Sequence, residues 1–291
     1  MHFPKSGYKN VGGAWIHPEA TIAEGVVVDP GAVVGAQVTV GRGSWIGSGA
    51  VIYGPTTVGE ENAIHPTSVL GGAPQDLGYQ GEPTRLEIGS HNVFRELVTI
   101  NRASTKGERV TRIGNRNLFM AGSHIGHDCV VGDDCVFAND VLIAGHCTIG
   151  SNVTLAGAVA IVQFSTVGRF AFMGGLSGSH TDIEPFISHD GMPSRPHAVN
   201  VVGLRRGKVA QAAINKLKEA FRVIFTDVSV KGGDDLSEAE AELARRDALC
   251  PEVVELLAFM RRSREGRFGR QSQGARPVAK LIPEGEAGKT S

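Results

Sequence analysis

The chain has 291 residues, enough for one large domain or two smaller ones, and its formal net charge is −1. This balance gives no electrostatic reason to expect binding to nucleic acid or to an anionic membrane surface. No apolar run approaches the roughly 20 residues of a bilayer span, and the N-terminus lacks the apolar stretch of a signal peptide, so we expect a cytoplasmic protein.

Residues 1–13 are predicted to be an N-terminal extension, because the repeat that dominates the chain begins after them. An apolar residue, usually aliphatic, then recurs at every sixth position over 16–70, resumes in phase over 88–100, and continues one residue out of phase over 113–173. Neither the helical period of 3.6 nor the strand period of 2 produces this pattern. A six-residue repeat is typical of a parallel β-helix, which we predict over 14–203.

Glycine often takes the second position of a hexad, as at Gly41, Gly114 and Gly132. Because glycine has no Cβ, we expect it to relieve crowding where the chain turns a corner, and it can take a positive φ at little cost.

Two stretches interrupt the hexads, one at 71–87 and the other at 101–112. The first contains Gly and Pro, and the second is polar and shifts the phase by one residue. We predict that both are loops extruded from the β-helix, where functional residues tend to lie.

The apolar spacing becomes helical after the repeat ends, and this predicts an α-helical C-terminal domain over 204–265. Residues 266–291 are rich in Gly, Arg, Ser, Lys and Pro, and we predict that they are disordered.

The residues that could carry chemistry cluster at His124, His127, Asp128 and His146. His127 and His146 are one coil plus one residue apart, so they should lie on adjacent coils near one edge. A histidine beside a carboxylate is a plausible general base. Two other interpretations stay open: outward positions of a β-helix tolerate polar residues, and three imidazoles could hold Zn²⁺. The His-x-x-His spacing suits a flat wall poorly, so we predict no metal.

Four motifs resemble the UDP-N-acetylglucosamine O-acyltransferases of the hexapeptide-repeat superfamily, which catalyse the first step of lipid A biosynthesis. They are PQDLGYQGEPTRLEIG (74–89), SHIGHDCVVG (123–132), LIAGH (142–146) and NVVGLRR (200–206). The resemblance covers about residues 14–265 and implies a left-handed parallel β-helix with a C-terminal α-helical domain. It further implies a homotrimer with active sites between subunits, no cofactor, and transfer of a 3-hydroxyacyl chain from acyl carrier protein to the sugar 3-hydroxyl.

The resemblance also implies roles for individual residues. His127 matches the general base, Asp128 would orient it, and the backbone N–H of Gly145 matches an oxyanion-hole donor. Gly175 matches a position in the acyl groove that gates chain length. The positions that match substrate-binding residues are Asp76, His124, His146, Gln163, Asn200 and Arg206. The basic residues that could dock the acidic carrier protein are Arg205, Lys208, Lys216, Lys218 and Arg222.

Four residues depart from the family pattern, namely Gly78, Asn101, Val162 and Val202, where lysine, histidine, histidine and glutamate are usual. Since the catalytic centre is retained, these changes concern the acceptor more than the reaction. A UDP-diamino sugar with an amine at C3 is therefore an alternative acceptor. A non-catalytic β-helix that serves as a binding module is a second alternative.

Overall fold

A computed structural model describes residues 7–227 and 236–273 of the chain. The predictions for residues 1–6 of the N-terminal extension, 228–235 of the helical domain and 274–291 of the tail lie outside these described residues.

The first two-thirds of the chain consists of short strands joined by corners. In chain order these are β1 Lys9–Val11, β2 Ala14–Ile16, β3 Thr21–Ile22, β4 Val27–Val28, β5 Val33–Val34, β6 Val38–Val40, β7 Trp45–Ile46, β8 Val51–Ile52, β9 Thr56–Val58, β10 Ala63–Ile64, β11 Val69–Gly72, β12 Arg85–Ile88, β13 Val93–Phe94, β14 Thr99–Asn101, β15 Val110–Ile113, β16 Leu118–Phe119, β17 His124–Ile125, β18 Val130–Val131, β19 Val136–Phe137, β20 Leu142–Ile143, β21 Thr148–Ile149, β22 Thr154–Leu155, β23 Ala160–Ile161, β24 Thr166–Val167, β25 Phe172–Met173, β26 Gly178–Ser179, β27 Ile187–Gly191 and β28 Ser194–Val199.

These strands form three sheets, which are the faces of a prism. The first face runs β1-β2-β5-β8-β11-β14-β17-β20-β23-β26, the second runs from β3 through every third strand to β24, and the third runs from β4 through every third strand to β25, followed by β27 and β28. Strands of successive coils pair in parallel, as Trp15 does with Val33. The first residue of each hexad points inward, and the resulting core column is buried from Val34 to Met173.

Glycine is needed at the second hexad position because a side chain there would clash with the next coil. A Cβ on Gly41 would lie 2.5 Å from the carbonyl carbon of Gly59, and one on Gly114 would lie 2.6 Å from Gly132 O, so a side chain would strike the next coil. The expected relief of crowding is therefore confirmed, and Gly41 and Gly114 do not use the positive φ that is open to glycine. Positive φ instead falls on the fourth hexad position, which is often not glycine, as at Asp134 and Ala158.

A buried polar column also supports the edge between the second and third faces. The side chain of Asn62 accepts a hydrogen bond from Asn92 N at 3.0 Å, Asn92 accepts one from Asn117 N at 2.9 Å, and Asn117 accepts one from Cys135 N at 2.8 Å. Each buried amide thus satisfies backbone groups of a neighbouring coil, as buried polar groups must.

The two predicted loops are present but shorter than predicted, because strands take up their ends. The first loop comprises residues 73–84, between β11 and β12, and the second loop comprises 102–109, between β14 and β15. Both leave the prism at the edge between the first and second faces. At the N-terminus, β1 pairs antiparallel with β2 and covers the open end of the first face, so part of the predicted extension belongs to the sheet.

The helices are α1 Val201–Arg206, α2 Gln211–Phe221, α3 Ser237–Arg245 and α4 Pro251–Glu265, with a π-helical segment at Arg222–Thr226 after α2. They bury a second apolar core that includes Phe170 and Phe186 from the end of the β-helix. Arg169 also joins the two parts, because its guanidinium binds the Glu255 carboxylate at 2.8–3.0 Å. No helix within 7–227 or 236–273 is long and apolar enough to cross a membrane.

The prediction of disorder from residue 266 is wrong for residues 266–273. Two short 3-10 helices, Arg267–Gly269 and Gln271–Gln273, follow α4. Asp182 holds this segment, since its N–H donates to Gly269 O and its carboxylate accepts from Gln271 N, both at 2.8 Å. Asp182, at the end of the β-helix, thus forms hydrogen bonds with backbone groups of residues 266–273. Amino-acid composition, on which the prediction of disorder rested, does not reveal such a contact.

Candidate active site

The edge between the first and second faces brings together most of the predicted site. Asp128, His146 and Phe164 occupy the fourth hexad position on three successive coils, and each has a positive φ of 60–65°. His127 precedes Asp128 on the same corner. Because both loops also leave the prism here, the edge combines a rigid column of side chains with two overhanging segments.

His127 and Asp128 form a hydrogen-bonded pair, with His127 Nδ1 2.8 Å from Asp128 Oδ2. The imidazole lies over the backbone of the next coil at Gly145, where an added Cβ would come within 2.7 Å of His127 Cε1. Since Nδ1 faces the carboxylate, the arrangement favours a tautomer whose Nε2 can accept a proton. The pair has the geometry of a base and its orienting group.

Asp128 is ionised inside the protein, and its side chain is only 3% exposed. Burial alone would raise the pKa of Asp128, but hydrogen bonds from His127 and from Ser104 outweigh it and hold the pKa below its ordinary value. Thr111 adds to the site by accepting a hydrogen bond from Asp128 N at 2.9 Å. The carboxylate therefore carries a fixed negative charge beside His127.

The other two histidines of the cluster lie on either side of the pair. His146 meets His127 edge-on, with ring centroids 5.0 Å apart. His124 lies on β17, where its Nδ1 is 2.7 Å from Thr99 Oγ1. Burial, and then the nearby charge of His127, lowers the pKa of His124, which favours its neutral form.

Asp76, in the first loop, reaches the same edge. Its carboxylate binds Lys106 Nζ at 2.6 and 2.9 Å and Gly78 N at 2.9 Å. The hydrogen bond from Lys106, followed by that from Gly78, lowers the pKa of Asp76, and a positive charge on His127 acts in the same direction. Asp76 is therefore an anion near the proposed base.

Gln163 occupies the third hexad position, two coils beyond His127, and is exposed. Its backbone carbonyl accepts a hydrogen bond from Arg270 of the C-terminal segment at 3.0 Å. Val162, beside it, is partly buried.

Three predicted residues lie apart from this group. Asn200 caps α1 by accepting from Gly203 N at 2.9 Å, and its amide donates to Phe170 O, so its side chain has a structural role. Arg206 is exposed at the end of α1. Gly175 lies on the edge between the third and first faces, so the first face separates it from the edge that carries His127.

Sequence reasoning missed four contacting residues: Ser104, Lys106, Thr111 and Phe164. The first two lie in a loop without periodicity, and a buried Thr111 has no pattern that sets it apart. Phe164 had a usable signal, because it lies one coil after His146 at the same corner position.

The potential metal ligands that lie close together are two histidines and a carboxylate, and not the three histidines considered from the sequence. His127, Asp128 and His146 bring potential ligand atoms within 4.8 Å of one another, whereas the third histidine, His124, faces Thr99. His127 Nδ1 and Asp128 Oδ2 are already joined by a hydrogen bond, which fits an acid–base pair.

Comparison with known proteins places this geometry in a family. The sequence matches a hexapeptide-transferase model with six repeats at 37–72 and 111–145, and a model of domain 2 of UDP-N-acetylglucosamine O-acyltransferase at 182–268. A curated acyl-[acyl-carrier-protein]–UDP-N-acetylglucosamine O-acyltransferase from Thiobacillus denitrificans is 42% identical over 259 residues, which cover 87% of this chain and 98% of that protein. The chain belongs to the UDP-N-acetylglucosamine O-acyltransferase family.

Solved structures agree with this placement in the UDP-N-acetylglucosamine O-acyltransferase family. A UDP-N-acetylglucosamine acyltransferase from Bacteroides fragilis has 33% identity and a TM-score of 0.80, over 86% of this chain and 96% of that one. The Francisella novicida enzyme has 28% identity and a TM-score of 0.78, over 86% and 90% of the two chains. The predicted fold class, a left-handed parallel β-helix with a C-terminal helical domain, is confirmed.

Proposed function

We propose that this protein transfers a 3-hydroxyacyl chain from acyl carrier protein to the 3-position of a UDP-N-acetylglucosamine-type sugar in lipid A biosynthesis. The observation that carries the proposal is the His127–Asp128 pair, joined at 2.8 Å over the bare backbone of Gly145. The family relationship supports the same substrates, since the 42% identical relative is named for acyl carrier protein and UDP-N-acetylglucosamine.

In the proposed mechanism, His127 Nε2 takes the proton of the sugar 3-hydroxyl as that oxygen attacks the thioester carbonyl carbon. Asp128 stabilises the imidazolium that forms. The Gly145 N–H, which makes no hydrogen bond within 7–227 or 236–273, would donate to the developing oxyanion. Collapse of the intermediate breaks the C–S bond, and the imidazolium returns its proton to the carrier-protein thiolate. The proton balance closes without a cofactor or a metal.

We further propose a homotrimer with shared active sites. Gly175 and His127 lie on the two edges that border the first face, so a neighbouring subunit packed against that face would enclose an acyl chain that runs between them. On the helical domain, Lys218 and Arg222 line a cavity of about 340 Å³ together with Phe221, which supports docking of an acidic carrier protein there.

The decisive experiment is mass spectrometry of the product formed from a panel of UDP-sugars and 3-hydroxyacyl carrier proteins. An ester with UDP-N-acetylglucosamine is expected, and an amide with a UDP-sugar that carries a 3-amine would instead support the alternative acceptor. His127→Ala should lower the rate by about 10²–10⁴-fold, as expected for a positioned acid–base group. His91→Asn, on another edge and exposed, is the control. Full activity in His127→Ala would refute the mechanism.

A further inference from the structure

The second loop, residues 102–109, binds both carboxylates of the site. Ser104 donates to Asp128 Oδ2 from its backbone N at 3.0 Å and from its hydroxyl at 2.6 Å. Two residues later, Lys106 Nζ binds both oxygens of Asp76 at 2.6 and 2.9 Å. One short segment therefore connects the carboxylate beside the proposed base with the carboxylate of the first loop.

The direction of the hydrogen bonds is fixed at Ser104. Its hydroxyl oxygen accepts from Lys106 N at 3.1 Å, so its single hydrogen is directed to Asp128. Asp128 Oδ2 then accepts from the Ser104 hydroxyl, the Ser104 N–H and His127 Nδ1. Three donors on one oxygen match an ionised carboxylate and stabilise its buried charge through Oδ2, whereas Oδ1 is buried and has no hydrogen-bond partner within the described residues.

The approach of the loop depends on Gly107. A Cβ at this position would lie 2.7 Å from Asp128 Oδ1, so a side chain would push the loop away from the carboxylate. Ser104 itself is 2% exposed, whereas its neighbour Thr105 is exposed. The segment is thus seated on Asp128 by specific contacts and does not simply cover the edge.

We propose that Ser104 and Lys106 are positioning residues for the acyl transfer. Ser104 holds the Asp128 carboxylate against His127, and Lys106 holds the Asp76 carboxylate in the orientation that receives the acceptor sugar. The inference rests on the proposed function, because it takes His127 as the base and Asp76 as a sugar ligand. Neither residue touches the reacting atoms.

The two residues should have separable kinetic effects. Ser104 acts on the base, which works in the transition state, so its loss should lower kcat and leave KM for both substrates unchanged. Lys106 acts on a binding group, so its loss should raise KM for the acceptor and leave kcat within about twofold. If the loop only supports the fold, its variants should instead lower the apparent kcat in parallel with the thermal midpoint, because less of the enzyme is folded.

The test measures kcat, both KM values and the thermal midpoint in the full-length protein. Ser104→Ala should lower kcat about tenfold to a hundredfold, as expected for loss of the one hydroxyl hydrogen bond to a buried charge. Ser104→Thr, which keeps the hydroxyl, should recover most of that loss, and Thr105→Ala is the matched control. Lys106→Met should raise the acceptor KM about tenfold, and Lys106→Arg should largely restore it.

His127→Ala, assayed in parallel, distinguishes a failure of the positioning roles from a failure of the proposed function. If that variant keeps its activity, the proposed function fails and the inference fails with it. If His127→Ala is inactive while Ser104→Ala and Lys106→Met behave like Thr105→Ala, only the positioning roles are overturned. A parallel fall in kcat and thermal midpoint for Ser104→Ala, without recovery in Ser104→Thr, also overturns them.

Discussion

The ring of Phe164 is stacked on the ring of His146, with centroids 4.6 Å apart and planes inclined by 12°. His146 in turn meets His127 edge-on, with an interplanar angle of 89°. Because Phe164 and His146 occupy the same corner position of successive coils, the repeat itself sets their spacing. Phe164 therefore fixes the orientation of a ring that lies against the proposed base.

We expect Phe164→Leu to lower kcat/KM for the acceptor by about 2- to 12-fold, which corresponds to the roughly 0.5–1.5 kcal/mol of an aromatic pair. Leucine already takes this corner conformation at Leu97 and Leu176, so the backbone should tolerate it. Phe164→Tyr, which keeps the ring, serves as the control. Unchanged kinetics in Phe164→Leu would show that the stacking does not orient His146.

Gly175→Met should shift the preference of the enzyme toward shorter acyl chains. A Cβ at Gly175 would lie 3.4 Å from Gly157 O, so the backbone can accept the side chain with a small adjustment, and the position is exposed. The measurement is competition among acyl carrier proteins with chains of graded length.

Ser48→Met is the control for this change, because Ser48 holds the same hexad position on the same edge several coils away. An unchanged chain preference in Gly175→Met would place the acyl groove elsewhere.

Gly114→Ala should reduce the free energy of unfolding by about 1–3 kcal/mol, as overpacking does. The new methyl group would lie 2.4 Å from Asp133 Oδ1 and 2.6 Å from Gly132 O, so neighbouring coils must separate. Gly157→Ala is the matched control, since its methyl group would meet Asn139 O at an ordinary 3.6 Å. Denaturant unfolding of both variants checks the prediction, and equal effects would contradict it.

The β-helix was predictable from the repeat, because in a parallel β-helix each six-residue segment forms one wall and buries its first residue. The pairing of His127 with Asp128 followed from their adjacency, and the proximity of His146 followed from coil length. The corner conformation was not predictable from residue type, since Asp134, Ala158 and Phe164 share it. Their φ is imposed by the turn between two walls and not by local preference.

The contacts made by the two loops could not be predicted from the sequence, for another reason. Lys106 meets Asp76 across the gap between the two loops, and Ser104 meets Asp128 across a whole coil, without any period that links them. The structure of residues 266–273 was missed similarly, because Asp182 binds residues that follow α4. Such contacts depend on where the loops and the tail lie in three dimensions, which hexad counting does not give.

Gly145 meets two requirements of the proposed site at once. The same position gives the His127 ring its clearance and presents the N–H proposed to face the oxyanion. Gln163, one coil further along the same column, carries an exposed side chain, so the column itself does not demand glycine. Under the proposed mechanism, we therefore expect position 163 to tolerate other side chains and position 145 to require glycine, so that a change at Gln163 leaves His127 in place.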